Sequence, residues 1–385
     1  MDQIKFKTNS TNSFFGHFLY DQVLPKDHFL VVAKREINWQ RFTDICIKWY
    51  KRSDRGGRPP YNPSVLCRML FLSYLYNISE RQIEHEVNLN LAFKYFTDLG
   101  VDETPPDSTT LTKFKQRLLK GGRERAFDEL LAGMLNEAKT KGVNFGQVQI
   151  VDATHTIADV NTQKDKERQK DKDDNDEPKD LKPPRDPDAS WGAKRKYEVK
   201  DPKTGKTVKQ TEYFYGYKAH ESFNPQSGLI TSVITTTGKT PDGELLPKLE
   251  IKDRQAKLLP KKQTYAADKG YDWGENHLYL EEHKHHDAII LTDNRLNKKD
   301  KNKKKWEKLV ATKQYREGKK ARKVIEKIFG NQKQCHGLKR CRYVGLQRYH
   351  VQAVLSAAVF NLGVVVAQIS GTTLRGYARS NNFST

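Results

Sequence analysis

Three acidic residues stand apart from the other carboxylates of the chain because of the segments in which they lie. Asp152 lies in QVQIVDATHT, whose alternation predicts a strand with Asp152 on the same side as Val148 and Ile150. Asp268 ends the predicted strand TYAAD, and Glu326 lies among apolar residues in the predicted helix ARKVIEKIFG. Burial of isolated carboxylates is costly, so each needs a cation. Salt-bridged or capping acids are the common alternative to a divalent-metal site.

A site of this kind could perform phosphoryl transfer. Two divalent ions about 4 Å apart can activate a water or a DNA 3′ hydroxyl on one side and stabilise the leaving oxygen on the other. Hard cations such as Mg²⁺ accept carboxylate, water and phosphate oxygens together. The nucleic acid would then supply the oxygens that the three acids do not.

The excess of basic residues indicates a polyanionic partner. Lys and Arg number 69 and Asp and Glu 48 in 385 residues, which gives a formal net charge of +21. Basic side chains that neutralise phosphates gain from counterion release, so this charge favours nucleic acid. A hydrophobic share of 36% excludes a polytopic membrane protein, and four cysteines cannot make a disulfide scaffold.

One segment is long enough to cross a membrane. Tyr349 to Leu374 contains no charged residue except, when protonated, His350. Its apolar residues follow a helical stripe interrupted by Gln352, Asn361 and Gln368, so we predict a buried core helix instead of a span. No apolar run follows the charges of Met1 to Ser10, so no signal peptide is predicted.

The pattern of the first 140 residues predicts helices, several of them with recognisable caps. Asn62 precedes a proline at a first helical position, and Ser79 with Gln82 matches a capping box. Asp107 can cap a third helix, and Phe127 to Leu135 marks a fourth. The tight turn between the first two permits a helix-turn-helix, while plain helical packing explains the same pattern.

From Gln147 onward the pattern becomes that of a mixed α/β domain. Residues 161–212 are charged and rich in proline, so most of this insertion is predicted to be mobile. Adjacent strands followed by strands that alternate with helices indicate a mixed sheet flanked by helices. The predicted strands are Thr211–Glu221, Leu229–Thr237, Thr264–Asp268 and Ala288–Thr292, and the predicted helices are Glu244–Leu259, Trp273–Lys284 and Lys319–Phe329.

Several other residues of suggestive type receive simpler interpretations. Asp242 precedes Gly243 and is interpreted as a turn or cap residue, and Asp293 is kept as a reserve carboxylate. Packing or hydrogen bonding is favoured over catalysis for His155 and His220. His283, His285 and His286 are predicted to follow a helix C-terminus. Cys335 and Cys341 are interpreted as reduced structural thiols.

Motifs along the chain resemble those of the DDE transposases of bacterial insertion sequences. VDATHT, FYGYKAH, AADKGYD, RKVIEKIFGNQK and GLKRCRYVG occur in the expected order, and PPYNPSVLCRML with PPDSTTLTKF resembles the helical domain that precedes the core. The match is to the IS-four and IS-five superfamily, and most closely to its IS-eleven-eighty-two-like members. The helical signature Y-x2-R-x3-E-x6-K matches at Arg322, Glu326 and Lys333, whereas Lys319 occupies the Tyr position.

The resemblance implies an RNase H-like mixed-sheet catalytic domain preceded by an α-helical domain. It implies that Asp152, Asp268 and Glu326 are catalytic and bind two Mg²⁺ ions, with Mn²⁺ as a substitute. The expected activity is cleavage at terminal inverted repeats and strand transfer into target DNA. Two alternatives stay open: an Mg²⁺-dependent nuclease without strand transfer, and a DNA-binding protein that does not catalyse.

Domains and partners follow from the same resemblance. Residues 1–140 are expected to form a DNA-binding or dimerisation domain, 141–370 the catalytic domain and 371–385 a flexible tail. The expected partners are double-stranded DNA, both element ends and target, and a second copy of the chain, in the bacterial cytoplasm at the nucleoid. The lysine-rich stretch Lys298–Lys308 is predicted to track phosphates. The predicted DNA-binding residues are Arg322, Lys333, Lys319, Lys269, Lys303, Lys304 and Lys305.

Overall fold

The computed structural model describes residues 6–7, 14–50, 59–122, 124–161, 185–200, 207–297 and 301–374. The chain divides into two compact units. The helical unit comprises residues 1–146, 226–231 and 354–385, and the sheet unit comprises 147–225 and 232–353. The predicted tail after residue 374 lies outside the described residues.

The helical unit contains the helices whose caps the sequence indicates. The Asn62 side chain accepts from the Ser64 amide, Ser79 and Gln82 form a complete capping box, and Asp107 accepts from the Thr110 amide. The predicted helix starts are therefore confirmed. The helices are α1 (Phe14–Val23), α2 (Phe29–Glu36), α3 (Trp39–Ile47), α4 (Pro63–Leu75), α5 (Glu80–Leu89), α6 (Leu91–Phe96), α7 (Ser108–Gly122) and α8 (Arg125–Thr140).

An aromatic cluster forms the centre of the helical unit. The Trp39 ring packs edge-on against Phe71 and Phe96, and Phe42 packs against both Trp39 and Phe71. Helix α4 is buried along almost its whole length. It is therefore a core element, whereas α5 buries only Ile83 and Val87.

The sheet unit contains a six-stranded mixed sheet covered by helices. The elements are β1 (Val148–Ile157), β2 (Ser190–Lys200), β3 (Thr207–Asn224), β4 (Leu229–Thr237), α9 (Leu246–Ala256), β5 (Thr264–Ala267), α10 (Gly274–Glu282), β6 (His286–Ile289), α11 (Lys303–Ala311), α12 (Lys313–Ala321), α13 (Ile325–Cys335) and α14 (Leu346–Ser370).

The strand order places β1 at the centre of the sheet. β3 is antiparallel to β1, whereas β5 is parallel to both β1 and β6. Both β2 and β4 pair with β3. Without β2, the order is β4-β3-β1-β5-β6, the strand arrangement of RNase H-like domains.

The longest helix, α14, passes the length and composition test for a membrane span, and no other helix among the described residues does. Most of it is buried inside the protein. The prediction of a core helix agrees with this burial. Its first eight residues belong to the sheet unit and the rest to the helical unit.

The charged insertion contains more structure than its composition predicts. Ser190–Lys200 and Thr207–Asn224 form a long antiparallel pair, with a register shift between Ala193 and Arg195. The prediction of a mobile segment is therefore wrong for 190–200 and 207–212, because cross-strand pairs such as Arg195 with Glu212 let charged residues form a ladder. Residues 162–184 and 201–206 lie outside the described part.

Two further elements differ from the sequence prediction. β6 ends at Ile289, earlier than the predicted Ala288–Thr292 strand, because its ladder with β5 is only four residues long. The predicted helix from Lys319 is two helices, α12 and α13, separated by a 3-10 turn at Arg322–Val324.

Most of the lysine-rich stretch Lys298–Lys308 belongs to helix α11, which begins at Lys303. Residues 298–300 lie outside the described part.

Helix α12 packs very closely on the sheet through a glycine. A Cβ atom at Gly318 would lie 2.5 Å from the Ala288 Cβ and 3.2 Å from the Ala266 Cβ. We expect Gly318→Ala to lower the free energy of unfolding by about 1–3 kcal/mol, because the helix would have to move off β5 and β6. Urea denaturation measures this change.

Gly330 in α13 provides a matched control, since a Cβ there meets nothing within 4 Å. Gly330→Ala should stabilise the protein by about 0.5–1 kcal/mol through helix propensity. A Gly318→Ala variant as stable as the unaltered protein, or more stable, would show that close packing of α12 does not limit residue size at Gly318.

Candidate active site

Asp152 lies in the middle of the central strand β1, with its side chain only 16% exposed. Its Oδ1 accepts a hydrogen bond of 2.8 Å from the Ala153 amide. Its Oδ2 accepts from the Arg322 Nη1 at 3.4 Å. The side chain at the start of the 3-10 turn before α13 therefore reaches the strand that holds Asp152.

Asp268 follows β5 directly and caps the 3-10 turn Lys269–Tyr271, where its Oδ1 accepts from the Gly270 amide at 2.8 Å. Burial, and next the negative charge of Asp268, raise the pKa of Asp152 to about 7. In the parallel register of β1 and β5, Ile150 pairs with Ala266, and Asp152 and Asp268 each follow two residues later. The fold thus brings Asp152, in the middle of β1, next to Asp268, at the carboxyl end of β5.

Glu326 is exposed in the first turn of α13, four residues after Arg322. Within the described ranges, no group of three or more His, Cys, Asp or Glu side chains is spaced to hold a metal ion. The structure therefore pairs two of the three predicted acids and places Glu326 on the helix that begins beside them.

Helix α13 is fastened to the sheet by a buried carboxyl group. Glu221 lies opposite Asp152 in the β1–β3 register and is 0% exposed. Its Oε1 accepts from the Gln332 Nε2 at 3.1 Å, and burial raises the pKa of Glu221 to about 8. The hydrogen bond between Glu221 and Gln332 orients the helix that holds Glu326. The position of Glu221 in an aromatic strand gave no sequence signal of this role.

A second buried network holds the loop after Asp268. Asp272 Oδ2 accepts from both the amide and the hydroxyl of Thr292 at 2.7 Å, and His277 Nε2 lies 2.8 Å from Asp272 Oδ1. His277 Nδ1 also contacts Asp287. Burial opposes the imidazolium, but the hydrogen bonds and charges of the two acids outweigh it and raise the pKa of His277. The turn after β5 is therefore tied to the end of β6.

Two of the predicted DNA-binding residues are close to the predicted acids. Arg322 is close to Asp152 in space, and Lys333 lies on the same helix as Glu326. Arg322 is 20% exposed and contacts Asp152. Lys333 is half-buried, and burial, together with the nearby Lys194, lowers its pKa to about 8. Lys269 pairs with Asp293 at 2.9 Å, so the reserve carboxylate serves that lysine at the surface.

The remaining predicted DNA-binding residues lie on exposed helices. Lys319 is exposed on α12. On α11, Lys303 pairs with Glu307 at 3.4 Å and Lys305 with Glu281 at 2.9 Å, while Lys304 is exposed. The buried Trp306 anchors this helix against His277. The lysines therefore form a surface helix, and their role with DNA stays a prediction.

Asp242 begins a 3-10 turn, so its interpretation as a turn or cap residue is confirmed. Its Oδ1 also accepts a hydrogen bond of 2.8 Å from Lys218 Nζ. The Asp-Gly signal did not predict this contact, because it describes only the local backbone.

The paired carboxylates fit a hard divalent cation. Two ionised carboxylates at short range repel one another, and the half-exposed Asp268 leaves one side of the pair open to solvent. Oxygen donors of this type are those that Mg²⁺ accepts, with water and phosphate oxygens completing the shell. The arrangement can therefore support metal-assisted chemistry on a phosphodiester.

Comparisons with known proteins found two family models and one solved structure to which the chain is similar. Residues 144–362, more than half of the chain, match the family described as "Transposase DDE domain", and residues 18–117 match the family described as "Transposase domain". A solved structure of a Mos1 transposase paired-end complex with the left transposon end is similar over 72% of this chain and 80% of that chain, at 10% identity and a TM-score of 0.21.

The raised pKa of Asp152 predicts a pH-dependent cost of its charge in the metal-free protein. The Asp152 carboxyl keeps its proton up to about pH 7 in the folded state but only up to about pH 3.8 in the unfolded state. The free energy of unfolding therefore falls as pH rises through this window. Asp152→Asn should therefore raise the free energy of unfolding at pH 8. The upper limit is about 4 kcal/mol, since each pKa unit between 3.8 and about 7 corresponds to about 1.4 kcal/mol.

Denaturant unfolding at pH 4 and pH 8 measures this effect. The gain should vanish near pH 4, and Asp293→Asn, at a side chain 94% exposed, should change stability by less than about 0.5 kcal/mol at either pH. An equal effect of Asp152→Asn at both pH values would contradict a buried, repelled carboxylate.

Proposed function

Because the chain belongs to the DDE transposase family, we propose that it cuts DNA at the ends of an insertion sequence and joins them to target DNA through Asp152, Asp268 and Glu326. The observation that supports this assignment is the position of Asp152, in β1, next to Asp268, at the carboxyl end of β5, beside the Arg322 turn that precedes Glu326. The family activity is DNA cleavage and strand transfer.

The cofactor in this proposal is a pair of Mg²⁺ ions, for which Mn²⁺ would substitute. Asp152 and Asp268 would share both ions and Glu326 would complete one of them. When bound, the ions supply Lewis acidity that activates the attacking oxygen and stabilises the leaving oxygen. The carboxylates of the chain bind and orient, and the buried position of Asp152 limits access of bulk water.

Basic side chains near the acids would hold the DNA backbone. The Arg322 guanidinium has five donors, so it can contact Asp152 and a phosphate together. Lys333 keeps most of its charge at pH 7, since its pKa is about 8, and would bind a second phosphate. Lys319 and Lys269 would contact the duplex beyond these positions.

The partners in this proposal are double-stranded DNA and a second copy of the chain. The net charge of +21 and the lysines of α11 suit a long duplex that includes the inverted repeat and the target. Two element ends must be cut in one complex, so we propose a homodimer. We expect the protein to act in the bacterial cytoplasm at the nucleoid.

Removal of either a buried or an exposed acid tests the catalytic assignment. Asp152→Asn and Glu326→Gln should each reduce cleavage of element-end DNA in Mg²⁺ by at least about 100-fold, beyond the 10- to 100-fold cost of changing a group that only orients a metal ligand. Gel-based cleavage with a labelled strand measures the rate, and fluorescence anisotropy in Ca²⁺ checks equal DNA binding.

The control is Glu317→Gln, at an exposed acid on the neighbouring helix α12. It should cleave within about twofold of the unaltered protein. Cleavage by Asp152→Asn at a nearly unaltered rate would falsify the assignment. Cleavage without a joined product in the unaltered protein would instead indicate a nuclease.

The lysines of α11 predict a change in salt dependence. If Lys303, Lys304 and Lys305 each touch a duplex phosphate, their replacement by Gln should flatten the slope of log K against log salt by about 3. Binding to an element-end duplex at several salt concentrations measures the slope.

The matched control replaces Lys257, Lys261 and Lys262, three exposed lysines near the start of β5, at the opposite end of that strand from Asp268. Their replacement by Gln should change the slope by less than about 1. An unchanged slope in the α11 triple variant would place that helix away from DNA.

A further inference from the structure

Strands β2 and β3 continue beyond the rest of the sheet as a two-stranded ribbon. β1 pairs with β3 from Gly216 onward, and the amide of Gly238, just after β4, donates to the Gly216 carbonyl at 2.9 Å. The described segments Ala193–Lys200 and Thr207–Phe214 lie beyond these contacts and pair with each other, and we call them the ribbon. With eight residues in each strand, at about 3.4 Å per residue, the ribbon is about 27 Å long.

The ribbon is fixed at its base and exposed further out. The hydroxyls of Tyr215 and Tyr217 both donate to Asp186, at 3.0 Å to its carbonyl and 2.5 Å to its Oδ1. Within the ribbon, Tyr213 is 62% exposed and Tyr197 is 39% exposed. A two-stranded hairpin is marginally stable in water unless a third strand or a helix packs on it, and exposed tyrosines are typical of binding surfaces. The ribbon is therefore a candidate surface for a partner.

One side of the ribbon lies on the same side of the sheet as Asp152. Asp152 is opposite Glu221 in the β1–β3 register, so these two side chains share one side. Tyr213 lies eight residues before Glu221 on β3, and the register shift of the ribbon falls on β2. Because successive residues of a strand alternate sides, Tyr213 and Lys209 lie on the side of Asp152. Tyr197 lies on the other side, where its hydroxyl donates to the Gln210 Oε1 at 3.3 Å.

The charge of the ribbon favours nucleic acid over a second copy of the chain. Its two strands contain five Lys or Arg residues and two Glu residues. Lys194 and Arg195 both contact Glu212, at 2.6 and 2.7 Å, so one carboxylate serves two cations. A second copy, with its net charge of +21, would bring more positive charge to this surface. Duplex DNA is a polyanion, and its major groove admits a two-stranded β-ribbon.

We propose that the side of the ribbon with Tyr213 and Lys209 docks in the major groove of an element-end duplex that follows β3 away from the cleavage site. This inference rests on the proposed function. Tyr213 and Thr207 lie eight and fourteen residues from Glu221, which is opposite Asp152. These separations correspond to about 27 and 48 Å along the strand. At about 3.4 Å per base pair, the ribbon contacts the duplex about 8 to 14 base pairs from the scissile phosphate.

The test is dimethyl sulfate footprinting on a duplex that contains the element end found beside the coding region. Dimethyl sulfate methylates the N7 atom of guanine, which is exposed in the major groove. In Ca²⁺, the unaltered protein should protect guanines about 8 to 14 base pairs from the cleavage position. Lys209→Gln combined with Tyr213→Ala should lose this protection and keep the protection at the cleavage position. Unaltered protection in this double variant overturns the inference.

The matched control removes one basic residue and one tyrosine from the other side of the same ribbon. It is Arg195→Gln combined with Tyr197→Ala, a pair in which the guanidinium carbon lies 5.3 Å from the ring centroid. The control should keep the protection, although it removes a contact within the ribbon. Thermal unfolding confirms that both double variants are folded. Equal loss of protection in both would show that the side of the ribbon does not matter, which contradicts the proposed docking.

Two further measurements separate this inference from its alternatives. If Lys209→Gln with Tyr213→Ala changes the sedimentation mass without DNA and leaves the footprint unaltered, the ribbon binds a second copy and the inference is wrong. If the unaltered protein cleaves and joins element-end DNA without protection at about 8 to 14 base pairs, the inference fails and the proposed function stands. If it neither protects nor cleaves that DNA, both fail.

Discussion

The repulsion between two carboxylates placed side by side is the constraint on which the sheet unit depends. Burial disfavours the charge of Asp152, and the neighbouring Asp268 disfavours it further. Hydrogen bonds hold both side chains in place. Asp152 Oδ1 accepts from the Ala153 amide, and Asp268 Oδ1 accepts from the Gly270 amide. The fold thus holds a charged pair in an arrangement that only a cation or a proton relieves.

The surrounding elements keep this pair in place through contacts between distant parts of the chain. β1 lies at the centre of the sheet, so its backbone is fixed by β3 on one side and β5 on the other. The Glu221–Gln332 hydrogen bond fixes α13, and the Asp272–Thr292 hydrogen bonds fix the loop after β5. Because buried networks of this kind are costly to break, they suit a site that must not relax.

Local signals in the sequence predict local structure well and long-range contacts poorly. The caps at Asn62 and Ser79 involve neighbours three residues away or fewer, so their residue types suffice, and β4 has its predicted bounds. The contact of Arg322 with Asp152 spans 170 residues. No periodicity encodes it. Only the resemblance to a family placed these two residues in one site.

The error in the charged segment has the same origin. Segment 190–200 is rich in charged residues, yet its partner strand provides the compensating charges, as in the contact of Lys194 with Glu212. Asp242 begins a 3-10 turn, as its Asp-Gly signal predicts, but its lysine partner lies 24 residues earlier and leaves no local signal. Contacts between distant segments decide both cases, and composition within a window does not record them.

In the proposed function, the electrostatics of the site would couple the binding of cation and DNA. The paired carboxylates repel a phosphodiester, although the chain as a whole is strongly basic. A bound divalent cation would convert this repulsion to attraction where a phosphate approaches, and Arg322 would hold a neighbouring phosphate. Each ligand would then raise the affinity for the other by the same factor, because coupling free energies are reciprocal. Glu326 is exposed, so its carboxylate would be free to complete the site when both ligands are present.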